Sequence, residues 1–241
     1  MAIRHLGLIK TSLVDYPGTV ASVVFTHGCN LRCPYCHNPE CVLGSPPGDF
    51  LLLEEVLAFL EKRKSILGGV CITGGEPFLH SELPDLVNTF HALELKVKVD
   101  TNGTFPERLK KVHADFIDMD IKTSPENYGR LIPEMEKEYP GSSEKLGKAV
   151  QESLAWIKTS GLPHRFRITA APGIVDEKDV EEITRLLGPG EEVLVSGFSP
   201  SVTLDPSWQR VQPFPDTILD AFAEILRRGN ITVKVRYNHF H

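Results

Sequence analysis

Cys29, Cys33 and Cys36 lie within eight residues of one another in the stretch Thr26-His-Gly-Cys-Asn-Leu-Arg-Cys-Pro-Tyr-Cys-His37. Thiolates are metal ligands, and three at this spacing can hold one metal centre. Three is one short of the four that close a structural zinc site or saturate a cubane iron–sulfur cluster. Two kinds of chemistry follow. Either His37, His27 or Cys41 completes a zinc knuckle, or the fourth position stays open for a substrate or cosubstrate, as in catalytic metal sites.

Three further segments carry reactive or charged groups: Gly74-Gly-Glu-Pro77, Asp100-Thr-Asn-Gly103 and Asp120-Ile-Lys122. Taken singly they are ordinary, being a tight turn, a loop and a solvated strand edge. Their places along the chain make them a set. The apolar, β-branched run 20–25 reads as a buried strand that delivers the cysteines, and residues 69–73, 96–100 and 115–122 read as strands that deliver the other three. Helical spacing of apolar residues marks 53 to about 67, then a helix capped by Ser81 with Leu83, Leu86, Val87 and Phe90 on one face. A short helix is expected over 106–113, a long loop or lid over 124–142, and a helix over 145–160 that Gly161 stops. Strands over 164–171 and 191–197, a helix marked by Val180, Ile183, Leu186 and Leu187, a helix over 217–228 and a last strand over 231–237 complete the chain.

Strands alternating with helices imply parallel βα units with right-handed crossovers. About six such units and a last strand are too few for a closed eight-fold barrel, so the expected fold is α/β, an open, partial TIM-like barrel with a parallel sheet. Residues 1–18 are a lead-in ending in a turn, and residues 199–241 a C-terminal extension packed on the barrel, within a single domain over 1–241. Ligands of such sheets gather at the carboxyl ends of the strands, which is where the four motifs fall.

Composition excludes several classes of function. With 241 residues, 41% of them hydrophobic, the chain can bury a sizeable core. A formal charge of −6 leaves no basic footprint for nucleic acid. No run approaches the ~18 apolar residues of a membrane span, and Met-Ala-Ile-Arg-His lacks a signal peptide's apolar core, so the expected location is cytoplasmic. Five cysteines, three of them clustered, argue for metal chemistry over a disulfide framework. Cys41 and Cys71 read as buried or incidental thiols, too few for a second ferredoxin-type cluster.

Cys29-x3-Cys33-x2-Cys36, with Tyr35 inside it, resembles the signature of the radical S-adenosylmethionine (radical SAM) superfamily. The whole chain is similar to the activating enzymes of glycyl radical enzymes, most of all those of anaerobic ribonucleoside-triphosphate reductase. The residues that carry the likeness are Phe25-Thr-His-Gly-Cys-Asn-Leu-Arg-Cys-Pro-Tyr-Cys-His-Asn-Pro39, Thr73-Gly-Gly-Glu-Pro77, Asp100-Thr-Asn-Gly103, Asp118-Met-Asp-Ile-Lys122 and Arg167-Ile-Thr-Ala-Ala-Pro-Gly173. The resemblance implies a [4Fe–4S] cluster on Cys29, Cys33 and Cys36, with the amino and carboxylate groups of SAM on its fourth iron. It implies that Tyr35 lines the adenine site, that Glu76 and Asp100 meet the SAM amino group, and that Asp120, Lys122 and Arg167 meet its carboxylate or ribose. Gly74, Gly75 and Asn102 complete the implied cofactor-binding set: the glycines admit a close ligand, Glu76 offers a negative partner to an ammonium and Lys122 a positive one to a carboxylate. The implied partners are a glycyl radical enzyme as protein substrate and an electron donor such as flavodoxin or ferredoxin.

The second cysteine-rich insert and the C-terminal cluster domain of some activases are missing. Small radical SAM enzymes acting on metabolites, such as the ring-contracting 7-carboxy-7-deazaguanine synthases, share the first two motifs, and the lean build favours a protein substrate over a metabolite. His27 and His37 flank the cluster loop and read as outer contacts of the cluster or as surface groups. Trp208 reads as a partner-contact anchor or as packing, and His239 and His241 as a frayed terminus. Replacing Cys29, Cys33 or Cys36 by Ala is expected to abolish reductive cleavage of SAM, whereas Cys41→Ala and Cys71→Ala retain it. Quantifying 5′-deoxyadenosine across the five variants checks this, and loss of activity in folded Cys41→Ala would reassign the ligands.

Overall fold

Runs such as Ala-Ser-Val-Val-Phe-Thr and Gly-Val-Cys-Ile-Thr-Gly are apolar on both faces, the pattern of strands covered on both sides in a parallel sheet. In the computed structural model, which describes residues 3–43, 46 and 48–238, these runs are strands. The strands are β1 (His5–Ser12), β2 (Ala21–Thr26), β3 (Leu51–Leu52), β4 (Gly69–Gly74), β5 (Lys96–Thr101), β6 (Phe116–Asp120), β7 (His164–Ala170), β8 (Glu192–Gly197) and β9 (Thr232–Arg236). The helices are α1 (Pro39–Val42), α2 (Leu53–Arg63), α3 (Leu83–Ala92), α4 (Pro106–Leu109), α5 (Pro133–Glu138), α6 (Ser142–Ser160), α7 (Glu177–Leu187) and α8 (Asp216–Arg228). Hydrogen bonding orders the sheet β3-β1-β2-β4-β5-β6-β7-β8-β9. Pairs β2–β4, β4–β5, β7–β8 and β8–β9 are parallel, and β1 is antiparallel to both β2 and β3. From β2 onward the chain runs through six strand–helix units to β9, as the sequence implied.

Two compact units share these elements. The first comprises Met1–Asn30, Glu40–Thr101 and Glu107–Asp118, and the second Leu31–Pro39, Asn102–Pro106 and Met119–His241. In the first, α2 buries Val56 and Leu60, and α3 buries Leu83, Leu86, Val87 and Phe90, the face expected of it. In the second, α6 buries Val150, Leu154 and Ile157, α7 buries Val180, Ile183 and Leu187, and α8 buries Leu219, Phe222, Ala223 and Leu226. Each set recurs at three- and four-residue spacing, so one stripe per helix removes apolar area from water at about 25 cal/mol per Å².

The structure departs from the sequence reading at several ends. Strand β1 lies in the stretch taken as a lead-in; Ile9, Lys10 and Thr11 are exposed in succession, so no period-two signal marks it. Helix α2 stops at Arg63, and α4 is a single turn. Ser81 does not cap α3: its hydroxyl donates to Glu82 Oε2 (3.1 Å), and α3 starts at Leu83. The expected loop over 124–142 holds a 3₁₀ segment, Pro125–Leu131, and α5. Gly147 explains how α6 meets that segment, since a Cβ there would lie 2.3 Å from the Pro125 carbonyl oxygen. Gly161 ends α6 with φ 74°, as expected of a left-handed terminator. His239 and His241 lie outside the described residues.

Asp179 ties the segment after β6 to the start of α7. Its buried carboxylate accepts from Ser124 Oγ (2.5 Å), Asn127 Nδ2 (2.7 Å), Arg130 Nη1 (2.7 Å) and the Asp176 amide (3.0 Å). Asp176 in turn accepts from the Asp179 amide (3.0 Å) and so caps the helix. Burial alone would raise the Asp179 pKa, but these donors outweigh it and hold it at about 2. A depressed pKa contributes stability that is present above the unfolded value near 4 and is lost as pH falls from there toward 2, here about 2 kcal/mol. Asp179→Asn should therefore lower stability at neutral pH by about 2 kcal/mol and flatten its decline between these pH values. Urea unfolding of both proteins across that range measures it; parallel acid limbs would show that Asp179 does not carry the effect.

Candidate active site

In the first unit the cysteine loop leaves β2 under close control. Gly28, with φ 87°, precedes Cys29. Its amide donates to the Cys41 carbonyl (2.7 Å) and its carbonyl accepts from the Glu76 amide (2.8 Å), while the Gly75 amide donates to the Thr26 carbonyl (2.9 Å). Gly74 has φ 110°, and a Cβ on it would fall 2.3 Å from the Thr26 oxygen. A Cβ on Gly75 would fall 2.0 Å from the Gly28 oxygen. The two glycines thus admit the backbone of the cysteine loop itself. Cys41 contributes its carbonyl to this arrangement, and its thiol is buried. His80 Nε2 lies 2.8 Å from the His27 carbonyl and anchors the same loop.

Glu76 is 1% exposed, and its Oε1 accepts from the Phe78 amide (3.0 Å) and Thr101 Oγ1 (2.9 Å). These donors fix the carboxylate against the end of β5. Two residues before Asp100 stands Lys98, which sequence reasoning passed over. The alternation over 96–100 puts Lys98 on the face of Asp100, and that face is buried. Lys98 pairs with Asp100 and, at 2.8 Å, with Asp118 Oδ2. The visible signal was a lysine flanked by valines inside a strand.

The second unit holds Cys33, Cys36, Tyr35, Asn102, Asp120, Lys122 and Arg167. The Cys36 amide donates to the Cys33 carbonyl (3.0 Å), Arg32 N–H to the Leu131 carbonyl (3.0 Å) and Asp205 N–H to the Pro34 carbonyl (3.0 Å). Tyr35 is buried between Phe198 and Trp208, with ring centroids 6.4 and 5.9 Å away. Trp208 therefore packs on the cysteine loop within this unit. Among the described residues the buried Tyr35 hydroxyl has no hydrogen-bond partner, a polar atom that an incoming ligand can satisfy. Burial and the neighbouring Cys33 push its pKa well above the ordinary tyrosine value. Asn102 Oδ1 accepts from the Thr104 amide (3.0 Å) and hydroxyl (2.6 Å), so that side-chain oxygen shapes its own turn.

Asp120 and Arg167 face each other from β6 and β7. Asp120 Oδ1 accepts from Arg167 Nε (2.6 Å), and its Oδ2 from Arg167 Nη2 (3.0 Å) and Lys122 Nζ (2.9 Å). Burial opposes ionisation of Asp120, but Arg167 and Lys122 outweigh it and hold its carboxyl well below the usual carboxylate range. Burial likewise opposes the charge on Lys122, and Asp120 overcomes it, raising the Lys122 pKa well above its ordinary value. Two cations thus converge on one carboxylate, and cations of this kind can also meet a ligand carboxylate. All five cysteines are free of disulfides. Among the described residues no three His, Cys, Asp or Glu side chains converge as one metal ion requires; a cubane instead takes one thiolate per iron. Within the second unit, the unbridged thiols of Cys33 and Cys36, the buried Tyr35 hydroxyl and the charges at Asp120, Lys122 and Arg167 are of types that suit such a cluster and an amino-acid-bearing nucleoside; the first unit carries the unbridged Cys29 thiol and the buried Glu76 carboxylate.

Gly75→Ala should cost about 3 kcal/mol, because the new methyl meets backbone that cannot yield. The reconstituted variant should also hold less iron. Gly48→Ala, whose Cβ meets open space, serves as control. Thermal unfolding and iron analysis decide it; wild-type values for Gly75→Ala would show that the close approach is dispensable.

The Radical SAM superfamily model matches residues 23–187, more than half of the chain. A putative glycyl-radical enzyme activating enzyme of Methanocaldococcus jannaschii is 27% identical over 214 residues, 87% of this chain and 85% of that protein. The pyruvate formate-lyase-activating enzyme of Clostridium pasteurianum is 39% identical over 176 residues, 69% of this chain and 68% of that one. Among solved structures, a radical SAM methyltransferase from Sphaerobacter thermophilus matches with a TM-score of 0.63 at 18% identity, over 98% of this chain and 78% of that one. The last is a likeness of fold, and it bears out the α/β, open TIM-like class read from the sequence. The zinc-knuckle alternative gives way to the cluster: the chain belongs to the radical SAM superfamily, whose cofactors are a [4Fe–4S] cluster and S-adenosylmethionine, and within it to the enzymes that activate glycyl radical enzymes.

Proposed function

We propose that this enzyme reductively cleaves SAM and abstracts hydrogen from a backbone glycine of a partner protein, an anaerobic ribonucleotide reductase. The observation that carries the activase reading is the span of the likeness to activating enzymes, 87% of the chain in one relative and 69% in another. The choice of reductase rests on the softer likeness of the motifs from Phe25 to Gly173. In this reading residues 1–241 work as one domain. Cys29, Cys33 and Cys36 hold the cluster, and Tyr35 lines the adenine site. Glu76 and Asp100 receive the SAM amino group, and Asp120, Lys122 and Arg167 its carboxylate or ribose. Gly74, Gly75 and Asn102 shape the backbone around them.

When bound, the cluster and SAM supply methionine and a 5′-deoxyadenosyl radical, and the chain's own part is to bind, orient and exclude water. The cations Lys122 and Arg167 beside Asp120 support carboxylate binding, and buried Glu76 supports ammonium binding. Hydrogen abstraction needs near-contact geometry, so docking of the partner's glycine loop supplies the positioning that an enclosed pocket supplies for a metabolite. The electron comes from a donor such as flavodoxin or ferredoxin.

The test mixes reduced, reconstituted enzyme with SAM and an anaerobic ribonucleotide reductase from the same source. A glycyl doublet in the electron paramagnetic resonance spectrum, with 5′-deoxyadenosine released, is the expected result. If another glycyl radical enzyme is activated instead, the reductase assignment fails. If none is activated while a small metabolite is turned over, the activase reading gives way to a metabolite-modifying one of the 7-carboxy-7-deazaguanine synthase kind.

A further inference from the structure

Lys98 is the most anomalous side chain of the first unit. It lies inside β5 with 0% of its surface exposed, and lysines are almost never fully buried without paired charges. Its ammonium contacts Asp100 Oδ1, Asp118 Oδ2 (2.8 Å) and Cys71 Sγ (3.6 Å). The Cys71 thiol also reaches Asp100 Oδ1 (3.7 Å). Asp118 is held on β6 with 0% side-chain exposure, Lys98 shows 1%, and Asp100 shows 11%.

Asp100 is the member of the three that reaches the surface, so its carboxylate is the one a ligand can meet. In addition, Lys98 and Cys71 both address the same oxygen of Asp100, while Asp118 fixes Lys98 from the neighbouring strand. A carboxylate so held loses rotational freedom before any ligand arrives.

We propose that Lys98 is a positioning residue, a buried ammonium that orients the Asp100 carboxylate toward the amino group of SAM. The inference rests on the assignment of Asp100 to that amino group made above. Lys98 itself touches no ligand; it acts through Asp100, with Asp118 as its anchor. Cys71, which sequence reading left as an incidental buried thiol, is the second support of the same oxygen.

The test uses anaerobically reconstituted full-length protein and measures SAM binding at equilibrium, iron content, and the KM for SAM against kcat for 5′-deoxyadenosine formation. The variants are Asp100→Asn, Lys98→Met and the double variant Lys98→Met with Asp118→Asn. The double variant restores the formal charge of the cluster without restoring the ammonium, so it folds even if Lys98→Met alone does not. Loss of the oriented carboxylate should weaken SAM binding roughly ten- to hundred-fold in every variant, at unchanged iron content. The loss should appear as a raised KM, whereas mere destabilisation lowers the active fraction and hence kcat at constant KM. Wild-type SAM affinity in the double variant would overturn the proposal, because Lys98 would then only neutralise charge. A lowered kcat at unchanged KM would overturn it as well. If Asp100→Asn binds SAM as the wild type does, the assignment of Asp100 fails, and the inference with it. If Asp100→Asn is weak and the double variant is not, the inference alone fails.

Discussion

The close approach of Gly75 to Gly28 is the constraint on which the cysteine loop depends. No residue with a Cβ fits at 75, since that atom would stand 2.0 Å from the Gly28 oxygen. Because the contact is backbone to backbone, it fixes the chain just before Cys29 without spending any side chain. The Glu76 amide completes the same contact, and the Glu76 carboxylate then lies against Thr101. One tight turn thus sets the start of the cluster loop and the direction of a buried acid together.

Electrostatics divides the candidate residues into two kinds. Asp120 is contacted by two cations, Arg167 and Lys122, and Lys98 by two carboxylates, Asp100 and Asp118. Each set is partly or wholly removed from water, where fixed charges act more strongly than in solvent and cost more to leave unpaired. Residues that look alike on paper, a strand ending in Asp and another ending in Asp and Lys, meet different charged neighbours once the chain is folded.

Packing away from the charges keeps these groups in place. Phe198 and Trp208 enclose Tyr35, and the backbone of Asp205 holds Pro34, so the segment after β8 supports the cysteine loop of the second unit. On the other side of Lys122, Asp179 and its donors hold the segment that begins at Thr123, whose hydroxyl bonds the Ile174 carbonyl (2.8 Å). Both remove freedom from the candidate residues beside them.

The sequence alone determined the kind of chemistry and the class of fold. The spacing of Cys29, Cys33 and Cys36 and the Gly-Gly-Glu-Pro turn are local patterns, readable because ligand type and spacing are written in adjacent residues. The six strand–helix units were readable because burial imposes its period on every helix, and Gly161 because a left-handed terminator has one favoured residue. Strand β1 was not readable, since a strand with three successive exposed residues carries no alternation. Nor was the clamp on Gly28, the Asp179 cluster or the burial of Lys98. Each joins residues distant in sequence, from Lys98 to Asp118 or from Ser124 to Asp179, and only the tertiary structure decides which charges meet. A lysine between valines reads the same whether its strand face meets water or two carboxylates, because alternation records that a face is polar and not what lies across from it.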